Sequence, residues 1–393
     1  MNNIAENLLC SGCGVCSAVC PKDCIAIREN ERGELRPVID DSLCVSCGKC
    51  KTVCPFSAPA SSEKHEGTVF IGTAPDFFAN GSSGGVASYF TARLLESKTV
   101  DFALLVAPQR SCDELFTYTI CSKADDLKKC QGSAYYPVTL ASILKKAASL
   151  DGSFAVIGVP CFITALKKLK KSDPFWDKKI KILIGIVCGH TPNKHLVDCL
   201  ALKSGHTRKD IDSCRFRIKE DARPAWDYGV KLTFSDGEEF KSFGSSDFGF
   251  LFWRRLFIQK CCTYCRDVFA NDADIAFMDA WLPEYKDLPG GTSLFILRDP
   301  QLESFFSDLI ENGDIKETDK NDIYKAQESL VKYKNEAGYH YNDEKTEQKV
   351  QKIFADKNES KDILDRLHRL CYKESLKKKN PLLWMLLEIK DRF

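Results

Sequence analysis

Short apolar runs separated by longer amphipathic stretches form the dominant pattern of the chain from residue 68 onward. Four runs of strand length, rich in Val, Ile, Leu and Phe, occupy residues 69–72, 102–106, 154–159 and 182–187. Uninterrupted apolar runs are typical of strands that helices cover on both faces. Two further runs at 274–278 and 293–297 predict additional strands. The pattern therefore predicts an α/β fold with a mainly parallel sheet core.

Two segments depart from this pattern. Residues 230–240 alternate apolar and polar positions around an Asp-Gly turn, which predicts a β-hairpin inserted in the α/β region. After Pro300 the chain is charged, with apolar residues at near-helical spacing at Ile353, Phe354, Ile363, Leu364, Leu367 and Leu370. This spacing predicts a helical C-terminal tail, which packs on the body or contacts another subunit in a homo- or hetero-oligomer.

Composition and charge restrict the classes of function. The chain has 20 cysteines among 393 residues and a polar start without the regions of a secretory signal, so we expect reduced or metal-bound thiols in the cytoplasm. Lys and Arg number 56 against 55 Asp and Glu, a balance that argues against binding of nucleic acid. No apolar run approaches the roughly 20 residues of a membrane span, and the short stretch 381–387 predicts docking onto protein. We expect small molecules or proteins as partners.

A cysteine motif is repeated in the first 60 residues. The motif C-x2-C-x2-C-x3-C-P occurs twice, 34 residues apart, at Cys10, Cys13, Cys16, Cys20 and Pro21 and again at Cys44, Cys47, Cys50, Cys54 and Pro55. In this motif three thiolates surround one iron-sulfur cube, and the fourth reaches the cube of the other repeat. We predict two 4Fe-4S clusters, one held by Cys10, Cys13, Cys16 and Cys54 and the other by Cys44, Cys47, Cys50 and Cys20. Four thiolates also suit zinc, but zinc sites do not need two interleaved runs of this kind.

The repeat closely resembles the bacterial two-cluster ferredoxin. The resemblance implies an N-terminal α+β ferredoxin domain at residues 1–60, followed by a linker at 61–72, an α/β domain at 73–300 and a helical region at 301–393. Cys24 lies outside the motif and is interpreted as a small buried hydrophobe. Because a ferredoxin module transfers only single electrons, chemistry on an organic substrate must lie in the remaining chain.

A glycine-rich turn at residues 80–85 precedes a helical stretch at 86–95. Free N–H groups at such a helix start can hold an anionic group such as a diphosphate. Glycine-rich turns also serve merely as helix caps, so this feature has two interpretations. The G-x-G-x-x-G fingerprint of an ordinary dinucleotide site is absent from the sequence after the early strands.

Eight short motifs then follow one another in a fixed order. They are S-S-G-G-V at 82–86, Q-G-S-A-Y-Y-P at 131–137, G-V-P-C at 158–161, C-G-H at 188–190, F-R-I-K at 216–219 with Trp226, C-T-Y-C at 262–265, D-A-W at 279–281 and G-T-S-L at 291–294. In this order they resemble the beta subunits of coenzyme F420 hydrogenase and dehydrogenase. That family has relatives in plant 7-hydroxymethyl chlorophyll a reductase and in the front half of deazaflavin-dependent sulfite reductase.

The resemblance implies that FAD binds in the α/β domain beside a further 4Fe-4S cluster. The matched motifs supply the expected cofactor-binding residues Ser82, Ser83, Gly84, Gly85, Gly132, Ser133, Tyr135, Asp279, Thr292 and Ser293. The chain departs from the family pattern at Ala134, where the family has a lysine, and at Cys188-Gly-His190, where the family has Cys-His-Gly. Both changes affect what binds beside the flavin. The resemblance therefore implies the fold but does not assign the family's substrate to this chain.

Four further cysteines form a candidate ligand set for the third cluster. Cys161 and Cys188 each follow an apolar run, and the carboxyl ends of parallel strands meet at the crevice where α/β sheets bind ligands. Cys262 and Cys265 have the C-x2-C spacing of a cluster or zinc loop. Cys261 can replace Cys262 in this set. In the alternative interpretation Cys161 and Cys188 are core thiols, and the C-x2-C pair binds nothing.

His190 is the candidate catalytic residue, because an imidazole just past Cys188 can exchange a proton with a substrate or flavin. The alternative is that it only satisfies a local backbone group. Together these features predict an oxidoreductase that links a ferredoxin or another redox protein to a two-electron substrate, such as coenzyme F420 or another conjugated compound. The competing hypothesis is a non-enzymatic electron-transfer protein that relays electrons to a larger partner enzyme.

Overall fold

A computed structural model describes residues 9–57, 67–111, 113–220 and 223–335, together with Ile4 and positions 348, 349, 352, 366, 367 and 370. The N-terminal part contains the short helices α1 at Val15–Ala18 and α2 at Lys49–Thr52, and the antiparallel strands β1 at Ile25–Glu29 and β2 at Leu35–Ile39. Each helix begins directly after a glycine of the cysteine motif, Gly14 or Gly48. The two repeats therefore share one local structure.

Beyond residue 67 the described chain forms two sheets. Their strands are β3 at Thr68–Gly72, β4 at Phe102–Pro108, β5 at Phe116–Cys121, β6 at Phe154–Gly158, β7 at Ile180–Ile186, β8 at Ile211–Ile218, β9 at Gly229–Phe234, β10 at Glu239–Phe243, β11 at Ile275–Asp279, β12 at Ser293–Leu297 and β13 at Ile315–Glu317. Within the described residues the larger sheet has eight strands, in the order β13-β3-β12-β11-β7-β6-β4-β5. Its central strands β11, β7, β6 and β4 are parallel neighbours, which confirms the predicted parallel core.

The edges of the large sheet are antiparallel. β12 pairs with β11 and with β3, β13 adds to β3, and β5 pairs with β4. Apolar runs alone do not predict β5, whose apolar residues alternate with Thr, or β13, which has only three residues. The large sheet is thus parallel in its centre and antiparallel at both edges.

Helices cover both faces of the large sheet. The described helices after residue 67 are α3 at Pro75–Phe78, α4 at Val86–Glu96, α5 at Ala124–Leu127, α6 at Ala141–Ser149, α7 at Pro160–Ser172, α8 at Pro174–Lys179, α9 at His195–Lys203, α10 at Asp247–Trp253, α11 at Ser307–Glu311, α12 at Asp322–Ala326 and α13 at Glu328–Asn335. Of these, α9 and α10 pack in the core of the second sheet. Leu104, Val156 and Leu183 pack in the same core as α6 and α7, whereas Ala155 and Ile182 pack with α4. Burial on both faces explains the uninterrupted apolar runs. Among the described residues, none of these helices has the length and apolar character needed to cross a bilayer.

The second sheet consists of β8, β9 and β10, all antiparallel. β9 and β10 are the predicted hairpin. β8 was not predicted, because charged residues interrupt its apolar positions. Its pairing with β9 shifts register between Phe216 and Ile218, at Arg217.

The structure changes two predicted boundaries. β3 begins at Thr68 and pairs with β12 and β13, so the linker predicted at 61–72 ends earlier. β13 lies in the region predicted as a helical tail at 301–393, which therefore also supplies an edge strand. In that tail Leu367 and Leu370 are buried in the core of the second sheet. The other predicted tail positions, Ile353, Phe354, Ile363, Leu364 and the stretch 381–387, lie outside the described residues.

The N-terminal part is fixed on the α/β body by specific contacts. Lys194 Nζ lies 2.9 Å from Glu29 Oε2. Lys168 Nζ, on α7, donates to the carbonyl oxygen of Cys54 at 2.7 Å. The side chain of Lys194 is only 7% exposed, whereas that of its partner Glu29 is 30% exposed. These contacts hold the cysteine repeats beside α7, the helix that follows β6.

Candidate functional site

The first predicted ligand set lies together around α1. Cys10, Cys13 and Cys16 belong to the first repeat, and Cys54 belongs to the second. Burial raises the pKa of Cys13 to about 12, and the negative charges of Cys10 and Cys54 act in the same direction. The charge of Cys54 also acts on Cys10 and Cys16. The four thiols of this set, including the one from the opposite repeat, therefore lie close enough for their charges to interact.

The second predicted set lines one cavity at the surface of the N-terminal part. Its members are Cys20, Cys44, Cys47 and Cys50. Cys47 is exposed. Cys24 lines the same cavity, with its Sγ 3.3 Å from the Sγ of Cys20. Cys24 is buried, as predicted, but it lies among these thiols, and the motif spacing gave no sign of this position.

The third predicted set also lies together. Cys161 is in the first turn of α7, directly after β6, and Cys188 follows β7, so both lie at the carboxyl ends of neighbouring parallel strands. Burial holds the pKa of Cys161 well above its usual range, and the charges of Cys265, Cys188 and Cys262 raise it further. Burial also raises the pKa of Cys188 to about 12. We call these four residues the third thiol group.

Ser11 and Cys261 each interact with thiols of both the first set and the third thiol group. Burial is the main cause of the raised pKa of Cys161, and the Ser11 side chain lowers that pKa. Ser11 Oγ is buried and has no hydrogen-bond partner of normal geometry among the described residues. A hydrogen bond with Cys262, together with burial, raises the pKa of Cys261, and the charges of Cys161 and Cys10 add to this effect. Cys261 therefore interacts electrostatically with both groups and stays an alternative to Cys262.

His190 lies between the third thiol group and a cluster of aromatic side chains. Its imidazole stacks on Phe252, with the ring centroids 4.6 Å apart. Burial lowers the pKa of His190 to about 3, and the charges of Arg255 and Lys334 act in the same direction. The Nε2 atom is buried and has no hydrogen-bond partner in the part of the chain that the structure describes. His190 is thus a neutral imidazole with one nitrogen available to a bound group.

The serines of the predicted cofactor site converge on the turn before α4. Ser83 Oγ donates to the carbonyl oxygen of Thr292 at 2.8 Å. Ser133 Oγ donates to Ser82 Oγ, also at 2.8 Å, while the neighbouring Gly132 is exposed. Three segments that are distant in sequence therefore meet at this turn.

Gly84 and Gly85 are required by the fold of this turn. A Cβ on Gly84 would lie 2.6 Å from the backbone nitrogen of Ser293. Gly85 precedes α4 with a φ of +84°, which favours glycine. Contact with the protein's own backbone explains both glycines, so they do not by themselves indicate a bound phosphate.

Arg217 connects the turn to Asp279 at the end of β11. Its Nη2 donates to the carbonyl oxygen of Ser82 and to Asp279 Oδ1, both at 2.6 Å. The guanidinium carbon lies 4.0 Å from the ring centroid of Tyr228. Arg217 has a φ of +58°, which is uncommon for a residue with a side chain. Strained residues at bulges are over-represented at functional sites, and here the strain directs a buried cation to the turn.

Lys219 and Tyr135 lie in the same region. Lys219 Nζ donates to the carbonyl oxygen of Ser83 at 3.0 Å. Burial, together with the charge of Arg217, lowers the pKa of Lys219 to about 8. The ring of Tyr135 lies 4.4 Å from that of Phe252, and burial holds the pKa of Tyr135 well above its usual range. The basic side chains of Arg215, Arg217 and Lys219 thus adjoin the turn, and the carboxylate of Asp279 pairs with Arg217.

These side chains fit the groups that the sequence predicts. Converging thiolates suit iron-sulfur clusters or zinc, and the orphaned Ser11 hydroxyl can donate to a cluster sulfur. The start of α4, with Arg217 and Lys219 beside it, suits a cofactor that carries a diphosphate.

Family comparisons agree with this organisation. Residues 71–145 match the N-terminal part of the coenzyme F420 hydrogenase/dehydrogenase beta subunit, and residues 151–323 match its C-terminal part. Together the two matches span more than half of the chain. The chain belongs to this family of beta subunits. Residues 9–58 match a 4Fe-4S dicluster domain, so this family member carries an iron-sulfur module.

Two curated proteins are similar to this member of the beta-subunit group. The coenzyme F420-dependent sulfite reductase of Methanocaldococcus jannaschii is 26% identical over 341 residues, which cover 81% of this chain and 49% of the relative. A subunit of the F(420)H(2) dehydrogenase of Methanosarcina mazei is 24% identical over 195 residues, which cover 47% of this chain and 54% of the relative. The chain thus spans about half the length of the curated relatives it matches.

A solved structure has a similar fold. It is a chain of the F420-reducing NiFe hydrogenase complex from Methanosarcina barkeri, with a TM-score of 0.51 and 15% sequence identity. The similarity covers 74% of this chain and 96% of that chain. At this level of identity the likeness supports the fold that the family match implies.

Sequence reasoning missed several residues that shape the site. Arg217 and Lys219 belong to a matched motif that assigned them no role, although basic residues at alternate positions 215, 217 and 219 were a usable signal. Nothing in the charged segment after Pro300 distinguished Lys334, which the structure buries beside the third thiol group.

Proposed function

We propose that the chain is an iron-sulfur flavoprotein oxidoreductase that transfers electrons between a one-electron redox protein and a two-electron organic substrate such as coenzyme F420. The position of the third thiol group carries this proposal. That group adjoins the first set through Ser11 and Cys261, and it adjoins the turn before α4 through His190 and its aromatic neighbours. Sites in this order form a continuous route from the protein surface to a substrate. Coenzyme F420 appears in the names of both curated relatives, which supports that substrate class.

In this proposal FAD supplies two-electron chemistry when bound, whereas the 4Fe-4S clusters exchange one electron at a time. Residues 1–60 act as the ferredoxin domain, and their eight motif cysteines hold two clusters. The third thiol group holds the third cluster.

The basic side chains at the turn have separate tasks in the proposed flavin site. Lys219 and the start of α4 bind the diphosphate. Arg217 fixes the turn relative to Asp279, because its guanidinium bonds to both. The cofactor-binding residues predicted from the motifs remain part of this site, with Thr292 and Ser293 supporting the turn from β12.

His190 is the proposed catalytic residue. It lies beside the third thiol group and keeps Nε2 without a partner among the described residues. We assign it the task of presenting the free Nε2 as a hydrogen-bond partner to the bound substrate. Phe252 and Tyr135 form an aromatic wall next to it that excludes water from this space.

A second candidate function is a subunit that relays electrons to a larger enzyme. Two observations favour it. One relative is by name a subunit of F(420)H(2) dehydrogenase, and this chain spans about half the length of the relatives it matches. In this case the same sites operate, but the final acceptor is a partner protein.

Anaerobic purification of the full chain, followed by iron, zinc and flavin analysis and an assay with coenzyme F420, tests the proposal. We expect about twelve iron atoms and one FAD per chain, because each set of four thiolates holds one cube. Reduction of coenzyme F420 by an artificial one-electron donor without other proteins supports the enzyme, and activity only with an added partner enzyme supports the relay. A folded chain with stoichiometric zinc and little iron contradicts both functions.

A further inference from the structure

Lys334 is a buried cation beside the third thiol group. It lies near the end of α13 and is only 3% exposed. Its Nζ lies 3.3 Å from the Sγ of Cys265 and also donates to the carbonyl oxygen of Asp267. Lysine is rarely buried without a partner, because removing an ammonium from water is costly. This position therefore requires a specific counter-charge.

The thiolates are the counter-charge. The 3.3 Å contact joins the ammonium to the Cys265 sulfur, which carries negative charge when it binds a metal. Among the described residues no carboxylate forms an ion pair with its ammonium. The direct contacts of the Lys334 ammonium are thus the Cys265 sulfur and the Asp267 carbonyl oxygen.

The packing of α13 fixes the ammonium at this place. Leu330, one turn earlier on α13, packs so closely on Gly189 that a Cβ there would lie 2.6 Å from Leu330 Cδ2. Arg255 stacks on the ring of Tyr333 at 3.7 Å. α13 therefore covers the 188–190 turn, and Lys334 reaches the thiol group from a rigid element.

We propose that Lys334 is a positioning residue that tunes the redox potential of the cluster held by the third thiol group. This inference rests on the proposed third cluster. Reduction adds one negative charge to a cluster, and a fixed ammonium that donates to a ligand sulfur stabilises the reduced state more than the oxidised state. Lys334 thereby makes this cluster easier to reduce than it would be beside a neutral side chain. It also orients Cys265, because the same ammonium joins the Cys265 thiolate to the Asp267 carbonyl.

The test is a redox titration of the reconstituted full chain, followed by electron paramagnetic resonance. The third-cluster signal is assigned by comparison with a Cys188→Ser variant, which lacks one of its proposed ligands. We compare Lys334→Met, which keeps the length but removes the charge, with Lys334→Arg, which keeps the charge. Lys332→Met is the matched control, because Lys332 is on the same helix with a side chain 62% exposed.

We expect the midpoint potential of the third cluster to shift to more negative values in Lys334→Met, with iron content unchanged. Lys334→Arg should keep most of the wild-type potential, and Lys332→Met should keep all of it. Selective loss of the third cluster in Lys334→Met but not in Lys334→Arg also supports the proposal, since the charge is then needed for assembly. An unchanged midpoint potential in iron-loaded Lys334→Met overturns the role of Lys334 but not the third cluster. A wild-type chain with iron for only two clusters overturns the third cluster itself.

Discussion

The imidazole of His190 stacks on the ring of Phe252, with centroids 4.6 Å apart and ring planes inclined by 35°. On its other side Phe252 contacts Tyr135, a residue of the predicted cofactor site. Phe252 thus joins the third thiol group, which His190 follows in sequence, to the turn before α4. Two sites that are separate in sequence form one region because α10 inserts this ring between them.

Phe252 should be important for stability as well as for the site. Phe252→Ala leaves a cavity beneath His190 and Tyr135, and we expect it to destabilise the chain by about 3 kcal/mol. Trp253→Ala is the control, since the neighbouring Trp253 is 42% exposed and should cost much less. Thermal unfolding of both variants measures the difference. Equal melting temperatures would show that the stacking contributes little.

Cys54→Ser should damage the cluster that the first repeat mainly builds. Its thiol lies with Cys10, Cys13 and Cys16, so removal should cost about four iron atoms and the signal of that cluster. Cys24→Ser should keep its iron, because Cys24 lies beside the second set but outside the motif. Iron analysis and electron paramagnetic resonance measure the cluster content of both variants. Loss of the cluster held by Cys44, Cys47 and Cys50 in Cys54→Ser would contradict the crossed assignment.

FAD should bind more weakly as the pH rises through about 8. Burial lowers the pKa of Lys219 to about 8, so its ammonium loses its proton in a range where an ordinary lysine stays charged. The charges of Arg217 and Arg215 contribute to this lowered pKa, and the charge of Asp279 opposes them. The protonated form attracts the diphosphate, so affinity is greatest below pH 8.

Lys219→Met should lower FAD affinity roughly tenfold at pH 6.5, as expected for loss of one charged hydrogen bond. It should also flatten the pH dependence between 7 and 9. Lys241→Met is a suitable control, because Lys241 has an exposed side chain and pairs with Glu220. Fluorescence titration with FAD measures the affinity of the apo wild-type chain and of both variants across this pH range. A Lys219→Met variant that keeps the wild-type pH profile would place the diphosphate elsewhere.

Electrons from a protein donor should enter at the exposed face of the second set. Val45 and Leu43 are 57% and 52% exposed near Cys47, and Lys22 and Lys49 line the same cavity. Val45→Asp puts a charge into this apolar contact and should slow reduction by a ferredoxin-type donor about tenfold. Ile310→Asp, on α11, should have no such effect. Stopped-flow reduction by ferredoxin and by dithionite separates docking from cluster damage, since only the protein donor should be affected.

The sequence was informative for the central strands because each is buried on both faces. Their apolar runs therefore predict both position and parallel pairing, as β6 and β7 demonstrate. β8 escaped prediction because Arg215 and Arg217 interrupt its apolar positions. β13 was not predicted because its three residues form a strand only through pairing with β3.

The candidate site also has features that the sequence predicts and features that depend on tertiary structure. Close spacing in the motifs grouped the cysteines of each repeat, and the carboxyl ends of neighbouring strands grouped Cys161 with Cys188. The conformation of Arg217 depends on a bulge in the pairing of β8 with β9, and no local pattern encodes it. The position of Lys334 depends on how α13 packs over Gly189, which is a tertiary property.

The contacts between Glu29 and Lys194, and between Lys168 and the Cys54 carbonyl, determine how electrons can travel. A module anchored in this way cannot swing between donor and acceptor as a mobile carrier does. In the proposed function the distances between its cofactors would therefore be fixed, and these distances would set the rate of internal electron transfer. Internal electron transfer should accordingly be insensitive to solvent viscosity, whereas the encounter with a donor protein should slow as viscosity rises.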